Sequence, residues 1–137
     1  MTPPRLIPPR FVWPAGTTLL AVLIAQQEGF GVPGAIPTVR NNPGDLRHSP
    51  HSAHPADDPN GIGTIDTVEH GWEDLERQLK LNASRGMNLQ QCIFTWAPQS
   101  DGNDPGAYLR NVIDGFAARG HTAMGGDSLD FILTILA

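Results

Sequence analysis

The longest uninterrupted apolar run in this chain covers only Leu19 to Ala25. A membrane-spanning helix needs about 20 such residues, so the run predicts one helix of a folded domain and no membrane span. Leu19-Leu20-Ala21-Val22-Leu23-Ile24-Ala25 is helical by composition, with Thr17 or Thr18 as N-cap and Gly31 as the stop, giving a first helix over residues 17–30. Glu28 falls in its last turn, where the helix dipole is negative and disfavours a second negative charge. Phe30 and the neighbouring apolar residues add desolvation, which also favours the protonated carboxyl. A carboxyl kept neutral near pH 7 is what a general acid requires. The alternative is a solvated glutamate at a fraying helix end.

A signal peptide is the other way to read an early apolar run, with Arg5 and Arg10 before it and Ala25 after it. Prolines at 3, 4, 8, 9 and 14 break that pattern, and cleavage after Ala25 would destroy the helix that carries Glu28. Residues 1–16 are read instead as a Pro-rich extended arm, packed through Phe11 and Trp13, and residues 17–137 as one domain. At 137 residues the chain can bury a core without staples. Gly 15 and Pro 13 signal much loop.

Much of that loop lies in Gly31–Asp66, rich in Gly, Pro, Asn, Asp, Ser and His with little periodicity. Short strands are expected near Asp45-Leu46-Arg47 and Gly63-Thr64-Ile65-Asp66, with turn chemistry in Asp57-Asp58-Pro59-Asn60-Gly61. Helical periodicity returns at Glu69: Trp72, Leu75, Leu79 and Ala83 share a face, and Glu73/Arg77 and Glu76/Lys80 form i,i+4 pairs on the solvated one. Thr67 caps this helix and Gly86 ends it. A further helix starts at Asn88 with Gln91 completing a capping box and stops at Pro98. The next starts at Asp104-Pro105, buries Leu109, Val112, Ile113 and Phe116, and ends at Gly120. The last runs from Asp127-Ser128 through Phe131, Ile132, Ile135 and Leu136. Five helices around one irregular, strand-bearing insertion predict a mainly helical α+β domain.

The net charge of −5 and nine scattered basic residues disfavour nucleic-acid binding through a basic patch. Cys92 is the sole cysteine, so no intrachain disulfide forms; on a helix face with Leu89, Ile93 and Trp96 it reads as core packing. His48, His51 and His54 recur every three residues, with Asp57 and Asp58 close behind. Pro50 and Pro55 interrupt that segment, so a solvated loop is expected and no metal or other cofactor. Asn41-Asn42-Pro43-Gly44 offers carboxamide donors and acceptors suited to sugar hydroxyls and N-acetyl groups, or is a plain turn. Tyr108, after Asp104-Pro105-Gly106-Ala107, either orients an acid or packs in the core; Trp96 is expected in the core.

Taken in order, Gln27-Glu28-Gly29-Phe30, Arg40-Asn41-Asn42-Pro43-Gly44-Asp45-Leu46-Arg47, Val68-Glu69-His70-Gly71-Trp72, Trp96-Ala97-Pro98 and Asn103-Asp104-Pro105-Gly106-Ala107-Tyr108 resemble phage and prophage peptidoglycan hydrolases. These belong to the lysozyme-like superfamily, near lytic transglycosylases and bacterial glucosaminidases. The resemblance covers about residues 20–116. It implies a lysozyme-like catalytic domain with a small β-hairpin insertion, acting on peptidoglycan glycan strands as a monomer. Synthesis would be cytoplasmic, with action on the cell wall by phage-like release or from a virion. Glu28 matches the catalytic acid, Asn42-Pro43-Gly44-Asp45-Leu46 the loop lining the cleft, Tyr108 the tyrosine after an Asp-Pro or Asn-Pro pair, and Thr64-Ile65-Asp66 the hairpin wall of the groove. Asn42, Asp45, Thr64, Asp66 and Tyr108 are therefore expected at the substrate. Such enzymes carry a longer asparagine run and Asn-Leu or Asn-Ile where this chain has Asp45-Leu46. No residue matches a second catalytic carboxylate. The expected activity is lytic transglycosylase or muramidase cleavage; the alternatives are a non-catalytic structural or wall-binding module on the same fold, and an endo-β-N-acetylglucosaminidase.

Overall fold

The computed structural model describes residues 13–135. Phe11, most of the Pro-rich arm and Leu136 lie outside the described residues. Trp13 packs at the edge of the core, with the Arg119 guanidinium 5.9 Å from its ring centroid.

The elements run α1 (Leu19–Glu28), α2 (Ile36–Val39), β1 (Ser52–Ala53), β2 (Thr64–Ile65), α3 (Val68–Ser84), α4 (Leu89–Trp96), a 3₁₀ turn (Gln99–Asp101), α5 (Pro105–Ala118) and α6 (Leu129–Thr134). The architecture is α+β and about half helical, with one two-stranded antiparallel sheet among the described residues. No helix among them is long and apolar enough to cross a membrane.

The apolar run becomes the centre of the core. Every residue from Leu19 to Ala25 is buried, because α3, α5 and α6 all pack against α1. Thr18 caps the helix with its hydroxyl, and its backbone N–H and Oγ1 both donate to Glu76 Oε1, at 2.8 and 2.9 Å. Glu76 thus ties α3 to the start of α1 instead of pairing with Lys80. The helix stops earlier than expected, at Gly29, whose φ of 87° lets its N–H and that of Phe30 close back on the last turn.

Caps place the other helices as the sequence predicts. Thr67 caps α3, Asn88 and Gln91 form the reciprocal box of α4, Asp104 caps α5 ahead of Pro105, and Ser128 caps α6. Cys92 is fully buried, and burial pushes its thiol up to about 11. Phe131 departs from expectation, lying exposed on α6.

The insertion departs further. A short helix, α2, occupies Ile36–Val39, started by Pro37 in its first turn. The first strand is at Ser52–Ala53, not at 45–47, pairing Ser52 with Ile65 and Ala53 with Thr64. Asp45 has φ 52°, a left-handed conformation that cannot continue a strand. The segment is instead closed around Asn42, whose amide donates to Leu46 O and Gly63 O and whose Oδ1 accepts from Leu46 N.

Candidate active site

Three elements meet at Glu28. The first is the end of α1, where Gly29 halts the helix and leaves the carboxyl half-buried. The second is α5, which lies along α1 and directs Tyr108 back toward it. Gly115 touches Leu23 with no side chain between them, Asn111 Nδ2 donates to Gln27 Oε1 at 3.0 Å, and Tyr108 OH donates to Glu28 Oε2 at 2.7 Å. The third is the loop that carries the left-handed residue Asp45, whose carboxyl is near enough to raise the proton affinity of Glu28.

The loop carrying Asp45 is fixed on two sides. Gly71 of α3 lets the Asn41–Pro43 backbone lie directly on the helix; a Cβ there would sit 2.1 Å from Asn41 O. Trp96 Nε1 donates to Gly44 O at 3.1 Å. Asn41, at φ 51°, donates through Nδ2 to Ile65 O. Two left-handed non-glycine residues within one short loop are unusual, though Asn and Asp tolerate that conformation best.

Two neighbouring carboxyl groups cannot both ionise readily. Glu28 rises from 4.5 to about 7, chiefly by desolvation and further by the Asp45 charge, against the lowering effect of the Tyr108 hydrogen bond. Asp45 is also raised by burial, but the bond from Glu28 and the positive charges of Arg47 and Arg40 pull it back down. The opposing influences favour the proton on Glu28. Asp45 Oδ1 is a buried oxygen without a hydrogen-bond partner. Tyr108 rises well above 10, by burial and by the adjacent carboxyls, so it stays a neutral donor.

Asp45 also lines a cleft of about 280 Å³ with Arg47, Gln78, Thr95, Trp96 and Pro98. Trp96 packs against the core as expected, but is only partly buried and also lines this cleft. A larger cavity, about 600 Å³ between Pro14–Thr17 and α3, touches none of Glu28, Asp45 and Tyr108.

The other expected substrate residues are placed differently. Asn42 is fully buried, and its side chain is hydrogen-bonded to Leu46 and Gly63, so it shapes the loop. Thr64 and Asp66 are exposed and line no part of the cleft; Asp66 Oδ1 instead holds His70 Nδ1 at 2.7 Å. His48, His51 and His54 do not converge. His54 Nε2 meets the backbone oxygens of Arg47 and Gly61, His48 leans on His54, and His51 turns to Asp74. The carboxyl partner of Glu28 was missed as a partner because the contact depends on a left-handed backbone and a long-range approach. The Gly44-Asp45 pair, a turn signal, was its one local sign.

Compared with family models, with curated proteins and with solved structures, the chain has no match.

Proposed function

We propose that this chain has a lysozyme-like fold and cleaves the β-1,4 glycan of peptidoglycan, with Glu28 as general acid and then general base. The observation that carries this reading is the Glu28 carboxyl at the end of α1, held by the Tyr108 hydroxyl at 2.7 Å and raised to about 7 by burial and by Asp45, a residue that also lines a cleft. A glycosidic oxygen is a poor leaving group until protonated, and a donor titrating near the working pH protonates it best. The ordered motif resemblance supplies the substrate class. The Trp96 indole offers a face for a pyranose ring.

The roles of the groups around Glu28 favour one mechanism over the others. Covalent retaining catalysis uses carboxyls about 5–5.5 Å apart and inverting hydrolysis about 6.5–9.5 Å. Asp45 raises the proton affinity of Glu28, which suits a group that keeps the acid protonated and not a nucleophile or a base. Transglycosylation requires one acid: Glu28 protonates the bridging oxygen, and then accepts the proton of the sugar's own hydroxymethyl group as that oxygen attacks the anomeric carbon. Asp45 serves to hold the proton on Glu28, and Tyr108 to aim it.

Digestion of purified sacculi tests the proposal. The wild-type chain should release muropeptides with anhydromuramyl ends, and Glu28→Gln should lower the rate by about 10³-fold with an unchanged circular dichroism spectrum. Saturable binding without release would instead identify a non-catalytic wall-binding module, and reducing glucosamine ends a glucosaminidase.

A further inference from the structure

We propose that Gln78 recognises the 2-acetamido group of the bound glycan, held in place for that contact by Asn82 and Cys92. The inference rests on the glycan reading above and deepens it by assigning the side chain that reads the sugar's substituent. Gln78 and Asn82 stand one turn apart on α3, and both line the cleft that Asp45 and Trp96 also line.

Two amide side chains four residues apart on a helix often pair with no further meaning. The depth of this pair sets it apart. Gln78 Nε2 donates to Asn82 Oδ1 at 2.9 Å, and Asn82 Nδ2 donates in turn to Cys92 Sγ at 3.7 Å. Cys92 is fully buried, and only 2% of Asn82 is exposed. The bonds therefore run outward from the core, through a buried amide, to the half-buried amide of Gln78 at the cleft. Each member orients the next: an asparagine that donates to sulfur turns its carbonyl the other way, toward Gln78.

Gln78 Oε1 accepts no hydrogen bond among the described residues, and the second N–H of Nε2 has no protein acceptor there. One free acceptor beside one free donor complements an amide on the ligand, which offers the converse pair. Both sugars of peptidoglycan carry such an amide at C2, and its N–H would donate to Gln78 Oε1. Trp96 suits the acetamido methyl, because its indole N–H is already given to Gly44 O at 3.1 Å and the ring carbons are left for apolar contact. The stem peptides of the wall also carry amides, so the test uses a glycan without peptide.

Binding is separated from turnover by titrating the full-length Glu28→Gln chain with tetra-N-acetylchitotetraose, followed by nuclear magnetic resonance. The side-chain amide signals of Gln78 and the indole signal of Trp96 should move together. Gln78→Met, close in size but without the amide, should weaken binding by about 3–10-fold. Cellotetraose has a hydroxyl in place of each acetamido group, and so lacks the methyl and the carbonyl; it should bind about 5–10-fold more weakly. Asn82→Asp still accepts from Gln78 Nε2 and should bind the tetramer more tightly than Asn82→Leu, which leaves Gln78 unheld. Undiminished binding by a folded Gln78→Met variant would overturn the assignment, as would equal affinity for cellotetraose or no binding of the acetylated tetramer. If the tetramer binds through Gln78 while the wild-type chain releases nothing from sacculi, this recognition stands and the catalytic reading alone fails.

Discussion

Glu28 receives opposite influences from its two neighbours, and that opposition can be measured. The Asp45 charge raises its affinity for a proton, while the Tyr108 hydroxyl, which bonds best to the ionised form, lowers it. Asp45→Asn keeps the left-handed backbone, since asparagine tolerates a φ near 52° as well as aspartate does. It removes the charge, so the high-pH limb of the activity profile should move to lower pH. Tyr108→Phe removes the hydroxyl and should move the same limb upward, with a loss of rate from the freed carboxyl. Rate profiles on soluble glycan fragments between pH 5 and 9, sampled in ~0.5-unit steps, check both signs. Shifts in the same direction would show that the limb does not belong to Glu28. Its position at a helix end was legible in the sequence, because helix length and dipole follow from local residues. The identity of its partner was not, because Asp45 reaches Glu28 only through a backbone conformation that the residue type permits but does not dictate. Asn42 shows the converse: an amide looks the same in sequence whether it faces a ligand or fills a loop.

Among the elements, the helices were readable and the insertion was not. Capping boxes and apolar periodicity are local signals, and α3, α4, α5 and α6 begin where their caps stand. The insertion is held by long-range bonds such as Asn42 to Gly63 and Ile65 N to Arg40 O, so its strand moved from 45–47 to 52–53 and α2 went unforeseen. Two helix glycines show how this packing positions the site. At Gly71 an added methyl meets a backbone oxygen at 2.1 Å and Pro43 Cδ at 2.8 Å, neither able to yield without moving the loop. At Gly115 it meets Leu23 Cδ2 at 2.5 Å, the far end of a side chain that can rotate. Alanine also gains about 1 kcal/mol in helix propensity over glycine. Gly71→Ala should therefore destabilise by about 1–3 kcal/mol and reduce activity by displacing Asp45. Gly115→Ala should be milder in stability and should leave the pH profile nearer to wild type. Urea denaturation of both variants, alongside activity, tests that order.

At the scale of the whole molecule, the protonated acid carries a cost in stability whose sign follows from linkage. Glu28 titrates near 7 in the folded chain and near 4.5 when unfolded. Below 4.5 both states hold the proton and the fold is at its best with respect to this group. As pH rises from 4.5 to about 7 the unfolded chain releases the proton first, so stability falls, and above that range the loss is complete. Asp45 and His70 are also raised on folding, from 3.8 and 6.5, and tilt the curve the same way. Asp66 is lowered, so its contribution is lost only as pH falls through its depressed titration range. The lone thiol titrates far above these pH values. Wild-type Tm should therefore decline between about pH 5 and pH 7.5. Glu28→Gln presents a neutral amide in both states and should flatten that decline. At pH 8 it should be more stable than wild type by about 1–2 kcal/mol, less than the whole shift implies because the carboxyl retains some solvent access. The same substitution that removes the proposed activity should thus strengthen the fold, as expected where a buried ionisable group is retained for its chemistry. Matched calorimetric scans of the two proteins at pH 5 and pH 8 decide it: a difference that does not grow with pH would mean that Glu28 is ionised in the folded protein.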